Sequence, residues 1–331
     1  MSYLLRGIAA AGTVRVVAAD TTTLVDEALG RHRASLTAGA ALGRTLTAAL
    51  LLSHVLLKDH RDRVTLRLEG GGPLGGVIAD AGLDGTVRGY VRRPEIELPP
   101  RPDGKLDVGG AIGRDGEIEV IRSHAPYGDP YASSVRLTSG EIAEDVAGFL
   151  LGSEQIPSAV LLGVAFEPGG SGRVAHAAGI VLQALPGVED GALALLEANV
   201  HAFGPLTARL AEGSLLASME ELTWGLELEM LTDQALPLAF RCRCSEAKAL
   251  DVLAYFRRDE RERMILEDGG AEVVCHWCGE ARWVDADGIR ALVRPEVRCP
   301  ECDALWYREG VTTMVRDGER CACGRAVELP A

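Results

Sequence analysis

Two periodicities alternate along the first half of the chain. Behind Asp20-Thr-Thr-Thr23, the apolar positions Leu24, Val25, Ala28 and Leu29 recur at helical spacing and predict a capped amphipathic helix. The run from about Leu42 to Leu57 is apolar on nearly every side, which predicts a helix surrounded by protein. Arg63-Val-Thr-Leu-Arg-Leu68 alternates with period two and predicts a half-buried strand. Val87–Val91, Ile118–Ile121 and Val135–Leu137 predict further short strands. Thr138-Ser-Gly-Glu141 has the form of a capping box and predicts a helix through about Leu151. Ala159–Phe166 and Gly179–Leu185 are unbroken apolar runs, the pattern expected of central strands. No regular βαβ repeat emerges, so residues 1–180 are expected to form an α+β layer domain.

From about Pro186 to Pro237 the pattern is helical only. Leu193, Leu196, Val200 and Phe203 follow Asp190 at helical spacing, and Pro205 opens a short helix that Gly213 closes. Ser218-Met-Glu-Glu221 reads as a second capping box ahead of Leu222, Trp224, Leu226 and Leu228. Isolated helices below about 12–15 residues barely form in water, so residues 181–238 are expected to be a metastable helical linker ordered by its neighbours. Ser245 then caps a helix carrying Ala249, Leu250, Leu253 and Phe256. Gly269-Gly270 turns into a strand, Ala271–Val274, and a last helix is predicted around Asp287–Val293. Residues 239–293 thus form a small domain, followed by a Cys-rich extension over 294–331.

The 331 residues are 47% hydrophobic and 25% charged, which excludes a disordered chain. Lys and Arg number 34 against 48 Asp and Glu, leaving a net charge of −14 that argues against nonspecific nucleic-acid binding. The apolar run Thr45–Leu57 falls short of the about 20 residues a bilayer core requires, so no membrane partner is expected. The opening Met-Ser-Tyr-Leu-Leu-Arg6 does not have the form of a signal peptide. Gly70-Gly-Gly-Pro-Leu-Gly-Gly76 resembles a phosphate cradle, but it lacks the Gly-Lys-Ser/Thr ending and opens no helix; it reads as turns between strands. No catalytic triad or paired-carboxylate arrangement is defensible, and the chain is not read as an enzyme.

All eight cysteines lie at or beyond residue 242, in four close pairs: Cys242/Cys244, Cys275/Cys278, Cys299/Cys302 and Cys321/Cys323. Such pairs in a chain without a secretory signal more often bind metal or do redox chemistry than form a fixed disulfide framework. Cys242, Cys244, Cys275 and Cys278 offer four thiolates for a closed tetrahedral Zn²⁺ site with no position left for a catalytic water. His276, between two of them, is read as a neighbour. Cys275 and Cys278 also stand at ribbon spacing from Cys299 and Cys302, so a rival pairing of the eight is open. Cys299, Cys302, Cys321 and Cys323 form a second candidate zinc ribbon with Trp306 and Tyr307 as its small core. A domain of this size has no secure core of its own, and structural zinc supplies about 10–16 kcal/mol of folding energy in small peptides. Oxidation of the thiolates would remove that contribution, melt the domain and leave the preceding helices without a packing partner. An inert zinc clip is the plainer reading of the same four residues.

These residues, with several upstream blocks, resemble the redox-regulated heat-shock chaperones of bacteria, the 33-kDa chaperonin family. The blocks are Thr21-Thr-Thr-Leu-Val-Asp26, Gly72-Pro-Leu-Gly-Gly-Val-Ile-Ala-Asp80, Gly104-Lys-Leu-Asp-Val-Gly-Gly110, Ser139-Gly-Glu-Ile-Ala-Glu-Asp145 and Ser153-Glu-Gln-Ile-Pro-Ser-Ala159. The resemblance implies a cytoplasmic, ATP-independent holdase of the oxidative stress response. It implies zinc on Cys242, Cys244, Cys275 and Cys278 when reduced, and disulfides Cys242–Cys244 and Cys275–Cys278 when oxidised. Zinc release, linker unfolding, homodimerisation and capture of unfolding client proteins would follow. The chain is expected to depart from the family after about residue 293. Two alternatives from other classes stand beside it. One is a zinc-ribbon module that binds RNA or a transcription or translation partner through a basic face at Arg257, Arg258, Arg261 and Arg263. The other is a thiol oxidoreductase built on Cys275-His-Trp-Cys278, which needs a helix N-terminus to activate a thiol; the Gly-Gly turn argues against it.

Overall fold

In the computed structural model, which describes residues 1–124, 129–292, 296–298 and 305–307, the chain separates into two units, Met1–Cys242 and Arg243–Ala331. The first runs β1 (Tyr3–Ala9), β2 (Val14–Asp20), α1 (Thr22–His32), α2 (Leu36–Leu56), β3 (Arg63–Gly71), β4 (Val77–Gly82), β5 (Thr86–Val91), α3 (Val108–Ile112), β6 (Gly113–Ser123), β7 (Tyr131–Arg136), α4 (Ala143–Gly152), β8 (Ser158–Phe166), β9 (Val174–Ala184), α5 (Asp190–Phe203), α6 (Leu206–Glu212), α7 (Leu215–Leu222), β10 (Glu229–Met230), β11 (Leu236–Pro237) and β12 (Ala239–Phe240). The second contains α8 (Glu246–Ala254), α9 (Arg258–Asp268), β13 (Gly270–Val274), β14 (Ala281–Asp285), α10 (Ala286–Arg290), β15 (Glu296–Arg298) and β16 (Leu305–Tyr307). The α+β class is as expected.

Two six-stranded sheets make up the first unit. One has the order β10-β1-β2-β9-β8 with β11 also on β1; the other has the order β12-β5-β4-β3-β6-β7. Helix α2 packs on β2, β8 and β9 of one sheet and on β3, β4 and β5 of the other, which is why it is apolar all round. Its length and composition would suffice to cross a bilayer, but 89% of its most apolar window is buried inside the protein. The helix starts at Leu36, six residues before the expected start, because Ser35 Oγ accepts the Ala38 N–H at 3.2 Å. Its first turns are small residues that carry no apolar stripe. At Gly39 and Gly43 a Cβ would stand 2.7 Å from Leu29 Cδ2 and Val25 Cγ1, so both glycines set how closely α1 docks.

Other expectations shift once tertiary partners are visible. β8 is an edge strand, not a central one, and its apolar side chains are covered by α2, α4 and α6 rather than by a second flanking strand. α4 begins at Ala143, and its cap is Asp145: its carboxylate accepts from the N–H groups of Thr138, Ser139 and Ile142 at 2.7–3.0 Å. Glu141, expected in that capping role, instead binds Arg44 and Arg101. α7 is capped by Ser214, whose Oγ accepts from Ala217 at 3.1 Å, while Ser218 is buried mid-helix. The glycine-rich stretch closes the β3–β4 turn, as expected; a Cβ on Gly70 would lie 2.2 Å from the Gly113 carbonyl, so the close backbone approach demands glycine there.

Residue 181, where the helical linker was expected to begin, lies inside the central strand β9. Beyond it, α5–α7 pack Leu196, Phe203, Leu206, Leu210, Leu215, Met219 and Leu222 against Val14, Val16, Ala18, Ile180 and Leu182 of the first sheet. Helix ends at Leu222; the chain then becomes extended and pairs as β10 and β11 with β1, where only helix was expected.

In the second unit, Ser245 caps α8 as expected, its Oγ accepting from Lys248 at 3.2 Å. α9 carries no apolar stripe and buries none of its residues, so it escaped the sequence pattern. Its arginines are interleaved with acids: Arg257 pairs with Asp259 and Glu260, and Arg258 with Glu262, while Arg261 donates to the Leu292 carbonyl. Among the described residues of this unit the buried cluster is small: Leu253, Val284 and Ile289, with Leu250, Met264, Ile265, Ala271, Val273 and Leu292 packed around them.

Candidate metal centre

Antiparallel pairing of β13 with β14 ends at Val274 and Ala281, leaving Cys275-His-Trp-Cys278-Gly-Glu280 as the connection. The turn is closed by backbone hydrogen bonds from Cys275 to Glu280 O at 2.9 Å and from Gly279 to Cys275 O at 2.8 Å. Gly279 has φ +70°, a conformation that glycine adopts without strain. Cys275 and Cys278 are therefore held on one tight knuckle at the end of a two-stranded sheet, not at a helix N-terminus as a thioredoxin-like thiol would be. Cys242 and Cys244 follow β12 in a stretch without regular structure, just before the Ser245 cap of α8.

The four sulfurs of Cys242, Cys244, Cys275 and Cys278 all lie within 4.8 Å of one another. Cys244 Sγ and Cys278 Sγ are 3.6 Å apart, far beyond the about 2.05 Å of a disulfide. Sulfurs about 2.3 Å from a tetrahedral Zn²⁺ stand about 3.8 Å from each other, so the cluster has the dimensions of a four-thiolate site. An all-sulfur donor set of this shape suits zinc or iron–sulfur chemistry rather than magnesium or calcium. Cys278 is buried and the other three are half-buried, which leaves the thiols within reach of small solutes. Arg282, on β14, hydrogen-bonds Glu280 at 3.0 Å and lies near Cys244, and these two neighbours, Cys244 first, raise the guanidinium pKa above its ordinary value. A cation at this place offsets negative charge on the thiolates. Sequence inspection passed over Arg282; its only signal was a cation four residues after Cys278. His276 is exposed and is not one of the four-sulfur group. Cys299, Cys302, Cys321 and Cys323 lie outside the described residues, as do the side chains of Trp306 and Tyr307.

Comparison with known proteins places this geometry in a family. The model of the Hsp33 protein family matches residues 2–285. The chain belongs to the Hsp33 family. A 33 kDa chaperonin of Thermus thermophilus is 51% identical over 340 aligned residues, covering 100% of this chain and 98% of the relative. The 33 kDa chaperonin of Deinococcus radiodurans is 53% identical over 296 residues, covering 89% of this chain and 99% of that one. A crystal structure of the Thermotoga maritima 33 kDa chaperonin superposes with a TM-score of 0.81 at 32% identity, covering 88% of this chain and 97% of that chain. The family model ends at residue 285, and the D. radiodurans and T. maritima relatives are covered almost in full by 89% and 88% of this chain, in line with the expected departure, whereas the alignment to the T. thermophilus relative runs through the Cys-rich tail.

Proposed function

We propose that this protein is a redox-regulated, ATP-independent holdase of the cytoplasm that holds zinc on Cys242, Cys244, Cys275 and Cys278 while reduced. The observation that carries the reading is the convergence of four thiols within 4.8 Å in a region whose described residues form a small buried cluster around Leu253, Val284 and Ile289. Zinc on four thiolates supplies folding energy of about 10–16 kcal/mol, against a core too small to sustain the unit alone. Each neighbouring thiolate pair, Cys242 with Cys244 and Cys275 with Cys278, gives two electrons to one hydrogen peroxide. The O–O bond breaks, two protons are taken up, two waters leave and one S–S bond forms per pair. After both steps all four ligands are lost and the unit loses its main source of stability. The helices before it then loosen, and the protein dimerises and binds unfolding clients.

The test measures zinc release and suppression of a client's aggregation before and after treatment with peroxide at mildly raised temperature. Release of the metal together with a gain of suppression is expected; equal suppression in both states rejects the switch.

The tail is read the same way. β15 and β16 pair to Arg298 and Leu305, leaving residues 299–304 between the strands, as β13 and β14 leave 275–280. Cys299 and Cys302 take the first and fourth places of that connection, as Cys275 and Cys278 do, and Cys321-Ala-Cys323 repeats the Cys-x-Cys form of Cys242 and Cys244. A second zinc on these four is expected. Metal analysis of the reduced full-length protein should give about two zinc ions per chain, and Cys299→Ser with Cys302→Ser about one; one ion in both would reject the second site.

A further inference from the structure

The segment that leads into the thiol cluster closes the open edges of both sheets. β1 has β2 on one side; on the other, Ile8 and Gly7 pair with Glu229 and Met230 of β10, and Leu4 and Tyr3 with Leu236 and Pro237 of β11. β5 has β4 on one side; on the other, Thr86 and Val87 pair in parallel with Ala239 and Phe240 of β12. Single backbone bonds hold the cover between these pieces. Leu226 O accepts from Ala10 at 2.6 Å, Leu231 donates to Arg6 O at 2.9 Å, and Leu238 donates to Ser2 O at 3.0 Å. Ala239 donates to Gly85 O at 3.0 Å and Arg241 to Val87 O at 2.8 Å. Without residues 226–241, β1 and β5 would be the terminal strands of their sheets, each with a row of unpaired amides.

The cover is a poor strand lying on good ones. Each of its pieces is two residues long, against seven for β1 and six for β5, and the parallel piece is the weaker kind per residue. Pro237 stands opposite Tyr3, between the bonded positions Leu236 and Leu238, so it costs the ladder to β1 nothing and denies a donor to anything approaching the outer edge. Glu227 has φ +51°, and Leu231 is 54% exposed. Leu226, Leu238 and Phe240 are the buried anchors, and Cys242 follows Phe240 by two residues. The ladders fix only extended backbone. Addition of a strand to an open edge draws its affinity from main-chain hydrogen bonds, which any extended segment can supply.

We propose that residues 226–241 are an internal occupant of the client-binding edges, and that on their release the outer edges of β1 and β5 take up extended stretches of unfolded protein by β-strand addition. This rests on the redox reading above, which supplies the release. The parity of the ladders turns the amides of Leu4, Arg6 and Ile8 toward the contested edge of β1, and that of Val87 toward the edge of β5.

Hydrogen exchange of the full-length protein tests it in three states: reduced with zinc, oxidised, and oxidised with reduced, carboxymethylated α-lactalbumin as a permanently unfolded client. Protection at these amides is expected in the first state, exchange at least tenfold faster in the second, and recovered protection in the third. Client that co-elutes with the oxidised protein while these amides stay fast overturns the proposal, as does an oxidised, client-binding protein in which they never lose protection. Recovery without client that rises with protein concentration also overturns it, because a second copy is then the occupant. Absence of co-elution after oxidation overturns the redox reading instead, and this inference with it.

Discussion

At the scale of single residues, the first unit holds a titratable group that its fold forces to stay neutral. His54, in the last turn of α2, has neither ring nitrogen hydrogen-bonded. Burial, and then the charge of Arg6, lowers its pKa from 6.5 to about 4. Between those values the unfolded chain binds a proton that the folded protein refuses, so stability falls as pH drops through the window from 6.5 to about 4. The loss is at most about 1.4 kcal/mol per pH unit. Denaturant unfolding at pH 7 and pH 5 should show this fall in the wild type and a flatter response in His54→Leu. An equal fall in both would place the acid sensitivity elsewhere.

At the scale of elements, α5–α7 are tied to the first sheet by a buried apolar seam and to one another by a polar clasp. Asn199 of α5 donates its side-chain amide to the carbonyls of Leu222 and Trp224 at 3.2 and 3.0 Å, closing the end of α7. Met219 is fully buried between α7 and the sheet. Met219→Ala removes that contact and is expected to cost about 2–5 kcal/mol. Because the lost contact belongs to the helices that the proposed switch must loosen, the variant should begin to suppress client aggregation at a lower temperature than wild type under the same peroxide. An unchanged threshold, with the stability loss confirmed by denaturation, would separate the helices from the switch.

At the scale of the whole molecule, α2 lies against both sheets of the first unit, while on the function proposed above the second unit draws its stability from metal on the four thiols. The four ligands come from two stretches some thirty residues apart. Chelation of the reduced protein should therefore unfold the second unit while α2 and its two sheets keep their circular dichroism signal and slow exchange. A second unit that stays folded without metal would show that its small apolar cluster suffices.

Sequence alone determined what neighbours along the chain decide. The all-round apolarity of α2, the Ser245 cap, the turn at Gly269-Gly270 and the spacing of the cysteine pairs are local, and each was legible from a few consecutive residues. Tertiary structure decided what depends on distant partners. The apolar run of β8 looks the same at an edge as in a centre, and only its neighbours α2, α4 and α6 say which. Asp145 displaced Glu141 as the cap because Arg44 and Arg101 claim Glu141. The two-residue strands β10–β12 carry no periodicity at all; they exist because β1 and β5, more than 150 residues earlier, leave backbone groups that must be paired.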